Sequence, residues 1–201
     1  MEFLNLPSLC AFHVQGGKDG EEVAEEANWP ALAIDEILTR SSCRLISLTV
    51  ENMPMVSMSH LRAHLDHASI QNSLCMLELT SSEASVRWTS DVDLLEYLTI
   101  YPNHSPNLPQ LQTLNIGVII SESADIFTKM LQSQRPNPTR NLPGLKWLTV
   151  KFYPTWYYIE FWLGEAELQL PESLRLVVDS FAKTIKIEYE VVPVGQYTCG
   201  Y

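Results

Sequence analysis

One short phrase, L-x-x-L-x-L with aliphatic or aromatic substitutes, recurs five times along the chain and constrains its fold more than any other feature. It reads Leu9 to Val14, Leu45 to Val50, Leu74 to Leu79, Leu111 to Ile116 and Leu145 to Val150. With the first leucine of each as anchor, the spacings are 36, 29, 37 and 34 residues. A single such phrase means little in a leucine-rich chain. Five in similar phase, three of them preceded by Leu-Pro (Leu6-Pro7, Leu108-Pro109 and Leu142-Pro143), mark an internal repeat. Alternation places Phe12 and Val14, Leu48 and Val50, Leu77 and Leu79, Leu114 and Ile116, and Leu148 and Val150 on one side of a short strand in each repeat. That side becomes a continuous core when the strands stack in parallel. Parallel neighbours need crossover connections, for which helices are the usual solution.

The intervening sequence supplies them. Ala31 to Leu38 has helical apolar spacing behind Pro30, and Leu61, Leu65 and Ala68 form an inward stripe in the next connection. Asp91 to Leu98 follows, with Ser90 or Asp91 as N-cap and Pro102 beyond its end. Ala124 to Leu131 is the fourth, ended by Pro136. Leu174, Val177, Val178 and Phe181 mark the last helix, with Pro171 at its start, and Ile185 to Val191 alternates as a closing strand. The expectation is a single α/β domain over residues 1–201, a solenoid of about five to six degenerate repeats with parallel strands on its concave face. Two segments fit less well. Residues 16–28 read as an exposed acidic loop, and the aromatic-rich residues 153–170 as an insertion or an extra helix.

Of the 201 residues, 46% are hydrophobic and 18% charged, which supports a packed core and argues against wholesale disorder. Thirteen Lys and Arg face 24 Asp and Glu, a net charge of -11, so a generic nucleic-acid binder is disfavoured. No stretch approaches the roughly 20 apolar residues of a membrane span, and the first residues lack the basic and apolar regions of a signal peptide. Cys10, Cys43, Cys75 and Cys199 are widely spread with no CxxC pair. Reduced, mostly buried thiols and a cytoplasmic or nuclear location are therefore expected.

Helix-plus-strand units opening on Leu-Pro-x-Leu-x-x-Leu-x-Leu resemble leucine-rich repeats of the ribonuclease-inhibitor-like type. The finer resemblance is to the C-terminal leucine-rich-repeat part of fungal F-box proteins. It rests on Thr39 to Leu48, on Leu108 to Leu114, on Met130 to Arg135 and on the ending from Leu174 to Tyr189. The resemblance implies a target-binding half. The chain opens inside its first repeat, so docking to a Skp-type adaptor follows only if an F-box precedes it.

No cofactor and no enzymatic activity are expected. There is no G-x-S-x-G, G-x-G-x-x-G or P-loop. Cys10 lies at a strand edge, where a buried or half-buried structural thiol is expected, and His13 points to the other side from Phe12. Asp91 and Asp93 fit as helix N-terminal charges. One metal alternative exists: His60, His64 and His67 stand at i, i+4 and i+7, and on one continuous helix they would share a face suited to zinc. The plainer expectation is a polar outer face, with Leu61, Leu65 and Ala68 turned inward. The binding candidates are the strand residues between the core positions. They are His13, Gln15, Thr49, Glu51, Met76, Glu78, Thr113, Asn115, Trp147, Thr149 and Lys151, with Met76 and Trp147 as the large anchors. The partner would be an unidentified target protein. A stand-alone scaffold without any link to ubiquitin and a zinc enzyme are the two alternative functions.

Overall fold

The computed structural model describes residues 8–15, 31–51, 58–80, 91–134, 143–153 and 170–191. Strands and helices alternate: β1 (Ala11–Gln15), α1 (Ala31–Ser41), β2 (Ser47–Glu51), α2 (Met58–Leu65), α3 (Ala68–Gln71), β3 (Met76–Thr80), α4 (Asp91–Leu98), β4 (Thr113–Ile119), α5 (Ile120–Ser133), β5 (Trp147–Tyr153), α6 (Glu172–Phe181) and β6 (Lys186–Val191). The six strands form one sheet in chain order, every neighbouring pair parallel. This is an α/β fold built on a six-stranded parallel sheet, an arrangement consistent with a solenoid. The segment 16–28 and residues 154–169 lie outside the described residues, as does Cys199.

All five expected strands and the closing one are present, each at its expected place. Their register aligns the phrases residue for residue. Phe12, Leu48, Leu77, Leu114, Leu148 and Ile187 form one apolar row across the sheet, and Val14 and Val50 stand side by side in the next, as do Ile116, Val150 and Tyr189. From β2 to β5 these residues are buried, and so are the anchors Leu45, Leu74, Leu111 and Leu145. At the two edges the rows are less sealed: Phe12, Val14, Ile187 and Val191 are partly buried and Tyr189 is 44% exposed. The helices press on this same side. Leu38, Leu61, Leu65, Leu95, Phe127, Met130, Leu174, Val178 and Phe181 join the apolar rows in a single core, with Phe127 meeting Phe152 edge-on at 5.6 Å.

The backbone repeats a device where successive strands start. The carbonyl of Cys10 accepts from the N–H groups of Ile46 and Ser47, that of Ile46 from Cys75 and Met76, that of Cys75 from Gln112 and Thr113, and that of Gln112 from Lys146 and Trp147. Each carbonyl just ahead of a strand thus uses both lone pairs on the next strand, which fixes the register.

The helix ends are stitched to their neighbours by side chains. Gln134 Nε2 donates to the Leu98 carbonyl at 2.8 Å, and Ser133 Oγ accepts from the Ile100 N–H at 2.9 Å. Gly144 lies close by with φ +63°, and an added Cβ would come within 3.1 Å of the Gln134 carbonyl oxygen. At the end of α1, Ser42 takes the left-handed conformation (φ 46°) that terminates many helices. Between the end of α2 and α4, the Tyr97 hydroxyl donates to Asp66 at 2.7 Å, with Arg62 of α2 5.6 Å above the ring. Burial is the first cause holding the Tyr97 phenol above the ordinary tyrosine range, followed by its hydrogen bond to Asp66 and that carboxylate's charge.

Four details correct the expectations. The helical stretch around the histidines is broken, since α2 ends at Leu65 and α3 begins at Ala68. Ala68 is exposed, and Ile70 fills the core in its place. Helix α5 starts at Ile120, directly after β4, rather than at Ala124. Asp91 is the first residue within α4 and not its cap.

Two measurements test this packing. Leu114→Ala removes a fully buried side chain from the middle of the sheet, and we expect a loss of about 2–5 kcal/mol in urea unfolding. For Tyr97, the unfolded phenol titrates near pH 10 and the folded one higher. Its stabilising contribution is therefore complete below about pH 10 and is lost as pH rises through the folded value. Tyr97→Phe should flatten the alkaline fall in stability.

Candidate functional site

The residues between the apolar rows point to the opposite side of the sheet, and the register aligns them too. One row runs Ala11, Ser47, Met76, Thr113, Trp147, Lys186, and the next His13, Thr49, Glu78, Asn115, Thr149, Glu188. Beyond them, Gln15 pairs with Glu51 and Glu51 with Thr80, while Gly117 pairs with Lys151 and Lys151 with Glu190. None of these residues is buried. An all-parallel sheet ordinarily has both sides covered; here, among the described residues, one side faces outward. Every candidate named from the sequence for this face, from His13 to Lys151, lies on it.

Its polar groups are linked across strands. Glu78 on β3 is held from both sides: Thr49 Oγ1 on β2 donates to Oε2 at 3.3 Å and Asn115 Nδ2 on β4 donates to Oε1 at 2.8 Å. The amide orientation of Asn115 is fixed by this bond, because the reverse would set its oxygen against the carboxylate. On the β1 edge, His13 Nε2 approaches Glu51 Oε2 at 3.3 Å, with the imidazole 54% exposed. On the β6 edge, the Lys186 ammonium sits 3.7 Å from the centre of the Trp147 ring and 2.8 Å from Glu188 Oε1. Trp147 is 40% exposed. Among the described residues, its ring carries a cation. Lys186 and Glu188 belong to this face through the alternation of the closing strand.

The histidines are arranged differently from the zinc alternative. His60 and His64 belong to α2, whereas His67 stands between α2 and α3 as the N-cap of the latter. His67 Nδ1 accepts from the Ser69 N–H at 3.2 Å, so the proton of the neutral ring is on Nε2, which donates to Thr39 Oγ1 at 3.2 Å. Both ring nitrogens thus take part in structural bonds. His64 is buried (2% exposed) rather than on an outer polar face. The three therefore do not share one helical face, and among the described residues no group of three or more His, Cys, Asp or Glu side chains is placed to hold a metal ion.

The cysteines divide. Cys43 is buried, Cys75 half-buried and Cys10 exposed, which corrects the expectation of a buried or half-buried thiol at position 10. Cys10 contributes through its backbone, as the first carbonyl of the strand-start series. No described helix is long and apolar enough to cross a membrane. No protein-family model matches the chain, and no curated protein or solved structure is significantly similar to it.

The role of His67 as a cap is open to a direct check. His67→Ala should cost about 1 kcal/mol in urea unfolding, and His67→Asn, which retains a capping acceptor, should recover most of it. An equal loss in both variants would place the effect in the Thr39 bond instead.

Proposed function

We propose that the chain is a protein-interaction module of leucine-rich-repeat type that binds its target through the outward side of the parallel sheet. The observation that carries this reading is that open side: a row of polar groups with Met76 and Trp147 among them, on a sheet type that normally buries both sides. The recurrence of the same bifurcated carbonyl at the start of successive strands, in step with the sequence phrase, supports the repeat assignment. The reading is of recognition without bond chemistry, and no cofactor enters it. The resemblance of Thr39 to Leu48 and the later phrases to F-box proteins of the same repeat class supports a role as the target-recognition part of a ubiquitin-ligase adaptor, or a shortened relative. A cytoplasmic or nuclear setting suits the free thiols of Cys10, Cys43 and Cys75.

The test is affinity capture from source lysate with three baits of verified fold: the parent, the face variant Thr113→Arg/Trp147→Ala, and the helix-side variant Glu96→Lys, where Glu96 is exposed on α4. We expect a partner retained by the parent and by Glu96→Lys and lost by the face variant. Retention by the face variant with loss on Glu96→Lys would move the binding surface to the helices.

A further inference from the structure

The charges of the open face are unevenly distributed. On β5 and β6 they balance: Lys186 is ion-paired with Glu188 at 2.8 Å, and Lys151 stands directly across from Glu190. On β1 to β4 the face carries Glu51 and Glu78, and no Lys or Arg among its described residues. Glu51 has the His13 imidazole at 3.3 Å. Glu78 differs, since both its oxygens are held by neutral donors, Thr49 Oγ1 and Asn115 Nδ2, one from each neighbouring strand.

The chemistry of that arrangement is specific. Each carboxylate oxygen has two acceptor positions, and the two side-chain donors use one on each. Among the described residues nothing takes the second position on either oxygen, on a carboxylate whose rotamer is fixed from both sides. That is a preorganised acceptor for the two parallel N–H groups of a guanidinium. Its charge is uncompensated within the face, and the chain as a whole carries -11. Met76 stands two residues before Glu78 on the same side of β3, where it offers apolar contact to the stem of a long cationic side chain.

We propose that Glu78 is the anchor of a docking site for a basic peptide segment of the partner, which presents an arginine to the carboxylate and packs its stem on Met76. The proposal rests on the reading of the open face as the binding surface and specifies the partner that face takes. Glu51, on the adjacent strand, attracts a second basic group of the same segment. The Trp147 end, already occupied by Lys186, supplies apolar contact.

The experiment is selection of short random peptides displayed on phage against the parent protein, followed by fluorescence anisotropy of the enriched peptides with three variants. Glu78→Gln keeps the shape and an acceptor for Asn115 and removes the charge. Glu190→Gln makes the same change of net charge on the balanced half. Trp147→Ala reports on the face at large. We expect peptides enriched in arginine, bound roughly tenfold or more weakly by Glu78→Gln and unchanged by Glu190→Gln. Equal weakening by Glu78→Gln and Glu190→Gln would mean a generic response to net charge and would overturn the proposal. So would enrichment of peptides without arginine, or no enrichment at all. Peptides sensitive to Trp147→Ala but not to Glu78→Gln would overturn the arginine site and leave the binding face standing; peptides insensitive to both would remove the face as well.

Discussion

The in-register stacking of parallel strands is the constraint on which the rest of this structure depends. A strand has a side-chain period of two, so a slip of one residue would exchange its core and solvent sides. The leucine phrases set the correct phase by burial, and the carbonyls of Cys10, Ile46, Cys75 and Gln112 fix it by accepting two N–H groups each from the next strand. A slip of two residues would keep the sides but misplace the anchors Leu45, Leu74, Leu111 and Leu145, all nearly inaccessible to solvent. Packing and hydrogen bonding therefore specify the same alignment, the consistency expected of a sequence with one preferred fold.

That alignment also builds the polar face. Thr49, Glu78 and Asn115 each lie four residues after their anchor leucine, so the register that buries the leucines brings the three side chains side by side. No separate element is needed to position Glu78. The same logic sets Met76, Thr113 and Trp147 in one row two residues after their anchors. Core positions are held to a narrow choice of apolar residues, while the intervening positions have chemical freedom without cost to the core.

This arithmetic explains why so much was legible in the sequence. The phrase fixes the phase of each strand, from which the face residues follow by their offsets, but not its ends: β4 and β5 run on to Ile119 and Tyr153. The helices were harder where a local bond competes with periodicity. The break after Leu65 comes with the His67 ring, which captures the Ser69 N–H and starts a new short helix. A capping histidine has no periodic signature, so periodicity alone draws a single stripe through Ala68. The burial of His64 is readable in the sequence: residue 64 is three after Leu61 and one before Leu65, within the same helical stripe. Cys10 is exposed for a different reason. It lies beside the edge strand β1, where only one neighbour covers the row, and even Phe12 and Val14 are just partly buried.

Glu78 shows where folding requirements end. A glutamine at this position would accept from Thr49 or Asn115 and occupy the same space, without the desolvation that a half-buried carboxylate brings. The negative charge strengthens the bonds from Thr49 and Asn115 but has no ion-pair partner: no cation of the described face is placed against it, whereas Lys186 meets Glu188 and Lys151 faces Glu190 a few strands away. The described face is thus neutralised on β5 and β6, while β3 holds a fixed carboxylate with no cation of the described face against it, so the electrostatic asymmetry of the face is set by side chains rather than by the fold.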